Sequence, residues 1–302
     1  MRSDDSPLTY TYRVFRPPAE ADSLIVQVAT GCPHNHCLFC GMYKKVPYRV
    51  RPWTEVLSEL RACAARDPHV TRIFLADGDV MHLPFEQLQT MLTDLGALFP
   101  RLTRISSYAN GRSILAKDPD QLTALRHLKL HTLYLGLESG DEEILRAQAK
   151  PETAEEMIQA VCRAQECGLR LSVMILLGLG GREHSERHAR ATAIAVSRMQ
   201  PRLLSALRVV PIPGTGLQAL VDQGRFEPLT EYGAVVELQN MVREFELAGT
   251  IFRANHVSNV LPVEARFPKD KERLLQELQD ELDSGDLSRT SAGPMPFSLA
   301  SW

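Results

Sequence analysis

The 302 residues are 44% apolar and 24% charged, with a formal net charge of -3. That is enough apolar material for a real core, in one large α/β unit or two smaller domains, and the near-neutral balance argues against a dedicated nucleic-acid binder, whose usual footprint is a basic face. The opening MRSDDSPLTY lacks a basic start followed by an apolar stretch, and the longest apolar run is only Leu171 to Leu179, so neither a secretory leader nor a membrane span is expected.

In chain order, β-branched-rich apolar runs alternate with helical patterns. A strand is expected over Leu24 to Val28, then a helix opening at Thr54 behind Pro52, and a strand over Ile73 to Leu75. The helix from Pro84 to Leu98 leads to a strand over Leu102 to Ser106, and Pro119-Asp120-Gln121-Leu122 opens the next helix. A strand over Thr132 to Leu137 precedes Asp141-Glu142-Glu143, acids in a first helical turn where the macrodipole favours them. Strands over Leu171 to Leu177 and Leu204 to Val210 complete six. Strands alternating with helices imply a parallel sheet with right-handed crossovers, either an incomplete barrel or an open doubly wound sheet.

After Pro211 the pattern changes. PIPGTGLQAL is a loop entering a short helix, an amphipathic helix is expected over Leu229 to Leu247, and a charged one over Lys269 to Leu282. The Ser-, Gly- and Pro-rich stretch from Ser284 to Trp302 is expected to pack poorly. The chain therefore divides into a core over 1–213, whose first 23 residues lead into strand one, a helical extension over 214–283, and a tail over 284–302.

In parallel α/β sheets and barrels, function gathers at the carboxyl ends of the strands. Here those ends read Cys32, Asp77-Gly78-Asp79, Tyr108-Ala109-Asn110, Glu138-Ser139-Gly140, Gly178-Leu179-Gly180-Gly181 and Pro211-Ile212-Pro213-Gly214. Singly, several of these are ordinary turn chemistry. Together with a cysteine cluster they mark one functional rim.

That cluster, CPHNHCLFC, holds three of the six cysteines in nine residues, where about 0.2 is the chance number. In a cytoplasmic, reducing setting such a group binds metal or does chemistry rather than forming disulfides. Zinc would need a fourth ligand, and His34 and His36 sit inside the loop, where a tetrahedron is hard to close. Cys63, Cys162 and Cys167 form no second pair and read as small hydrophobes. Three thiolates suit a four-iron cluster with one iron left open to a substrate or cofactor.

The motifs resemble those of the radical S-adenosylmethionine enzymes: CPHNHCLFC with its aromatic Phe39, then FLADGDVMHLP, YLGLESGDEEILRAQAK and MILLGLGG in family order, over about Leu24 to Pro213. The branch most resembled includes the anaerobic coproporphyrinogen oxidases, the methylthiotransferases and the Elongator-type proteins. The resemblance implies a partial (β/α)6 TIM-like barrel with a C-terminal helical extension, holding a [4Fe-4S] cluster and S-adenosylmethionine. It implies that Cys32, Cys37 and Cys40 ligate three irons, and that Asp77, Gly78 and Asp79 bind the methionine amino group. Glu138 would bind the ribose hydroxyls, Lys150 the methionine carboxylate, and Gly178 would let backbone approach the adenine. Asn110, at the third strand end, joins the cofactor-binding candidates. The implied reaction is reductive cleavage to a 5'-deoxyadenosyl radical that abstracts hydrogen from a small-molecule substrate, with an external flavodoxin- or ferredoxin-like electron donor and oxygen sensitivity at the open iron.

Three departures mark this chain. The first cysteine gap is four residues rather than three, Met174 stands where the coproporphyrinogen-oxidase pattern has an acid, and no cysteines follow residue 213. Within FRANHVSN, His256 and Asn259 are the catalytic candidates, a proton donor and a hydrogen-bonding group; the plainer reading is a turn between two helices. Lys44, Lys45, Arg49 and Arg51 read as solvated surface. Two other readings stand beside the enzyme: a cluster- or haem-binding protein without turnover, and a zinc or iron-sulfur protein acting in electron transfer or structure.

Overall fold

Each of the six expected strands forms in the computed structural model, which describes residues 7–295. The strands are β1 (Leu24–Gln27), β2 (Ala29–Thr30), β3 (Arg49–Val50), β4 (Arg72–Ala76), β5 (Arg104–Ala109), β6 (Leu130–Glu138), β7 (Arg170–Leu177), β8 (Leu203–Arg208), β9 (Ile251–Arg253) and β10 (Glu264–Arg266). The helices are α1 (Trp53–Arg66), α2 (Phe85–Leu98), α3 (Gly111–Leu115), α4 (Pro119–His127), α5 (Glu142–Ala147), α6 (Ala154–Glu166), α7 (Ser185–Met199), α8 (Gly216–Asp222), α9 (Glu231–Glu244) and α10 (Lys271–Ser284). The extension expected to be helical thus also contributes β9 and β10.

The helix starts follow from the sequence. Pro52 and Pro84 stand just before α1 and α2. Asp118 and Gln121 form a reciprocal capping box at α4, and Asp141 accepts from the Glu143 and Ile144 amides at α5. Thr215 and Thr230 cap α8 and α9 in the same manner.

The main sheet has the order β1-β4-β5-β6-β7-β8-β9-β10. Its long strands follow one another in chain order with no reversal, so there is no switch point of the doubly wound kind, and the open question from the sequence resolves to the barrel type. The described residues form two compact units: those up to Asn35 with Lys45–Leu135 and Cys162–Leu171, and His36–Lys44 with Gly136–Val161 and the described residues from Ser172 on.

In the first unit β1 runs parallel to β4, β4 to β5 and β5 to β6, with Val26 beside Leu75 and Tyr108 beside Tyr134. Ile73, Phe74 and Leu75 are all fully buried, which explains why this strand reads as an unbroken apolar run. Phe74, Tyr108 and Tyr134 meet edge to face, with centroids 5.2 to 6.2 Å apart. At the amino ends of the strands, buried Glu20 accepts from Tyr134 Oη at 2.8 Å and Ser23 Oγ at 2.5 Å. This satisfied carboxylate reads as an anchor for the lead-in segment.

In the second unit β7 and β8 pair in parallel, β8 and β9 likewise, and β10 returns antiparallel on β9. α9 lies against α7 and α10. Of the stretch expected to pack poorly, Ser288, Ser291 and Arg289 engage the start of α9: the Glu231 amide donates to Ser291 O at 2.9 Å and the Arg289 guanidinium lies 3.6 Å over the Tyr232 ring. Residues 296–302 of that stretch lie outside the described residues. Among the described residues no helix is long and apolar enough to cross a membrane.

Candidate cofactor site

In the first unit, Cys32 follows β2 and meets the turn that ends β4. Gly78 donates its amide to Gly31 O at 3.0 Å. A Cβ on Gly78 would lie 2.6 Å from Cys32 Cα, Cys32 Cβ and Gly31 O, so only glycine lets the Asp-Gly-Asp turn come this close to the first cysteine. Asp77 on one side has φ +79° and is buried, and Gln27 of β1 donates to its Oδ2 at 2.5 Å. Asp79 on the other accepts from Asn110 Nδ2 at 3.2 Å, the Asn110 amide at 3.3 Å and Ser113 Oγ at 2.5 Å. Four of the predicted residues, Asp77, Gly78, Asp79 and Asn110, thus form one hydrogen-bonded strand-end assembly beside Cys32.

Tyr48, which the sequence reading missed, belongs to the same assembly. Its hydroxyl is buried with no hydrogen-bond partner among the described residues, and its ring meets His82 edge to face at 5.9 Å. Burial pushes this phenol above its ordinary value, and Asp79 and Cys32 push it further. A buried hydroxyl left over beside a thiol and a carboxylate is a donor waiting for an acceptor. Nothing in the local sequence sets it apart from a packing tyrosine.

In the second unit, Cys37 and Cys40 sit on a tight turn in which the Cys40 amide donates to Cys37 O at 3.3 Å and Lys44 Nζ donates to the same carbonyl at 2.8 Å. Lys44, expected as solvated surface, is therefore part of the loop. Leu38, between the cysteines, donates to Gln148 O and accepts from the Leu217 amide, both at 2.9 Å, which ties the loop to the segment after α5 and to α8. Among the described residues no cysteine is in a disulfide and no three His, Cys, Asp or Glu side chains gather to hold a single metal ion.

Glu138 ends β6 with φ +64°, a conformation that disfavours non-glycine residues by roughly 1–2 kcal/mol. Its Oε1 crowds the place a Cβ on Gly136 would take, so the glycine two residues earlier makes room for the carboxylate. Burial pushes the Glu138 carboxyl up, Lys150 opposes the shift, and Glu152 adds to it. Lys150 Nζ lies 3.7 Å from Glu152 Oε2, both side chains nearly buried. Glu152 is a second residue that the sequence reading missed; a carboxylate two positions from a motif lysine carries no signal of its own.

Gly178, with φ +81°, opens the turn after β7, and its amide donates to Glu237 Oε1 of α9 at 2.6 Å. His256 and Asn259 lie in the loop joining β9 to β10, rather than between two helices. His256 Nδ1 faces Ser258 Oγ at 2.8 Å and accepts from the Ser258 amide at 3.2 Å. Ser258 Oγ in turn accepts from the Arg208 amide at 3.1 Å. Asn259 Nδ2 donates to Ala206 O at 2.8 Å and Ala254 O at 2.7 Å, which pins the loop to β8 and leaves Oδ1 buried without a hydrogen bond among the described residues.

Within the first unit, a glycine cradle against Cys32 and a leftover buried hydroxyl beside it suit an organic ligand at this thiol better than a closed single-ion site. Comparison with known proteins agrees. The chain resembles in fold a radical S-adenosylmethionine methyltransferase of Kitasatospora setae with cobalamin and a [4Fe-4S] cluster bound (TM-score 0.54, 17% identity, 67% of this chain and 39% of that one). It likewise resembles the coproporphyrinogen III oxidase of Escherichia coli, a radical SAM enzyme (TM-score 0.54, 18% identity, 73% of this chain and 51% of that one). In sequence it is 27% identical over 202 residues to an uncharacterised protein of Methanopyrus kandleri, covering 61% of this chain and 38% of that protein. The chain spans well under half the length of that relative and of the methyltransferase. Residues 26–191 match the Radical SAM superfamily domain, more than half of the chain, so this protein belongs to the radical SAM superfamily, the enzymes whose cofactors are a [4Fe-4S] cluster and S-adenosylmethionine.

Proposed function

We propose that this protein is a radical SAM enzyme that cleaves S-adenosylmethionine reductively and abstracts a hydrogen atom from a small-molecule substrate, drawing electrons from an external flavodoxin- or ferredoxin-like donor. When bound, the cofactors supply one electron to the sulfonium and a 5'-deoxyadenosyl radical as the hydrogen acceptor. The observation that carries the reading is the approach of Gly78 to Cys32, within 2.6 Å of an added Cβ. An acceptor-rich turn directly beside the Cys32 thiol supports an ammonium-bearing cofactor there.

The protein's own residues have these tasks. Cys32, Cys37 and Cys40 hold three irons as thiolates. Asp77 and Gly78 present carboxylate and backbone oxygens to the methionine ammonium, while Gln27, Asn110 and Ser113 keep Asp77 and Asp79 from turning away. Lys150 offers a cation to the methionine carboxylate, with Glu152 keeping that cation soluble in a buried place. Glu138 accepts from the ribose hydroxyls, Gly178 lets the backbone approach the adenine, and Tyr48 donates to the cofactor. His256 as proton donor and Asn259 as a hydrogen-bonding group are the residues offered to the substrate.

The test is anaerobic reconstitution followed by incubation with reductant. The expected result is about four irons per chain and release of methionine and 5'-deoxyadenosine. Deuterated candidate substrates then name the atom attacked, because deuterium appears in the 5'-deoxyadenosine. Fully loaded protein that releases none of it would refute the proposal.

A further inference from the structure

A buried polar chain in the second unit is used by none of the roles above. Ser139, His188, Thr192 and Glu237 have 0% exposure, yet every one of them is hydrogen-bonded. From α9, Glu237 accepts from the Gly178 amide at 2.6 Å and from Ser185 Oγ at 2.5 Å. Its Oε1 lies 3.8 Å from His188 Nε2. From α7, His188 Nε2 is 2.9 Å from Leu176 O and Nδ1 is 2.8 Å from Ser139 Oγ. A carbonyl only accepts, so Nε2 carries the ring hydrogen; the Asp141 amide donates to Ser139 Oγ at 3.0 Å, leaving the Ser139 hydroxyl hydrogen for Nδ1. Thr192 Oγ1 accepts from the Gly140 amide at 3.0 Å.

The ends of this chain decide its meaning. They are backbone groups of two strand-end turns: Gly140 and Asp141 after β6, and Leu176 and Gly178 at the end of β7. Apolar packing would hold α7 and α9 on the sheet equally well, but it could not fix the direction of these amides and carbonyls. A fully satisfied buried network does so, since moving either turn would leave buried groups without partners. The resemblance to a Ser-His-Glu catalytic triad is superficial, because no substrate reaches side chains with 0% exposure.

We infer that the chain Glu237, His188, Ser139 is a positioning device for the adenosine half of S-adenosylmethionine, holding the turns that carry Glu138 and Gly178 at a fixed separation. The inference rests on the roles given to Glu138 and Gly178 under Proposed function. These side chains act through the turns and touch no ligand.

The test measures binding calorimetrically in anaerobically reconstituted protein, with S-adenosylhomocysteine, 5'-deoxyadenosine and L-methionine as separate probes. Ser139→Ala and Glu237→Ala are expected to weaken the two adenosine-bearing probes at least fivefold while iron content and methionine affinity stay at wild-type values. Glu237→Gln, whose carboxamide oxygen still accepts from the Gly178 amide, is expected to recover most of the affinity. A role confined to stability would lower the melting temperature and leave the affinities of folded protein unchanged. A smaller loss for the adenosine probes, or an equal loss for methionine, overturns the inference; if Glu237→Ala does not fold, Ser139→Ala decides alone. Failure of wild-type protein to bind S-adenosylhomocysteine would instead overturn the proposed function itself.

Discussion

Replacing Gly78 by alanine tests the central geometric argument. The new Cβ would stand 2.6 Å from three atoms of Gly31 and Cys32, two of them backbone, so no rotamer change relieves it. Reaching ordinary contact at 3.4 Å requires the cysteine loop and the β4 turn to part by about 0.8 Å. That movement also strains the 3.0 Å bond from the Gly78 amide to Gly31 O. Overpacking of this kind costs about 1–3 kcal/mol and the weakened hydrogen bond about 1 kcal/mol, together about 2–4 kcal/mol. For a chain of this size the melting temperature should fall by roughly 3–6 °C. The cluster should suffer more than the fold, because Cys32 itself is displaced: iron per folded chain after anaerobic reconstitution is expected to drop to less than half of the wild-type value. Gly78→Ala protein that melts at the wild-type temperature and takes up full iron would refute the argument that this glycine permits the approach.

Cys37→Ala should abolish iron uptake and cleavage, whereas Cys63→Ala should retain both, since Cys63 is buried in α1 and burial raises its thiol above the ordinary range; iron assay and absorbance separate the two. Gln27→Leu should destabilise the protein by about 1–3 kcal/mol in urea titration, because Gln27 donates to Asp77 and also holds Thr11 through its amide and carbonyl, both at 2.8 Å; faster proteolysis ahead of β1 should accompany it. Burial holds the His256 imidazole below its ordinary 6.5, so the unfolded chain takes up this proton first as pH falls. Stability from this group is full above about pH 6.5 and declines from there toward the lowered native value. Urea midpoints across that window should fall less steeply in His256→Gln than in the wild type, and equal slopes would refute the assignment.

Much of the architecture was legible along the chain because it rests on local rules. Proline positions set the starts of α1 and α2, Asp118 and Asp141 cap the helices expected behind them, and apolar runs bounded by helical patterns located all six long strands. Short β9 and β10 were not legible. Three residues of strand carry too little periodicity to stand out, and their pairing with β8 and with each other depends on partners some 10 to 50 positions away. That is why the FRANHVSN loop read as a connection between helices.

The candidate site divides along the same line. Sequence alone determined the chemical identities: three thiols at a fixed spacing, and acids, glycines or an asparagine at the strand ends, since strand polarity dictates which residues fall at the carboxyl ends. Only the tertiary structure decided which groups hold them in place. Gln27 holds Asp77 from 50 positions away, and Glu237 holds the Gly178 amide from 59. Tyr48 gains significance only because its hydroxyl is buried near Cys32 and Asp79 without a hydrogen-bond partner among the described residues. A ligand can be read from its own side-chain chemistry, whereas a supporting residue is defined by what the fold brings against it.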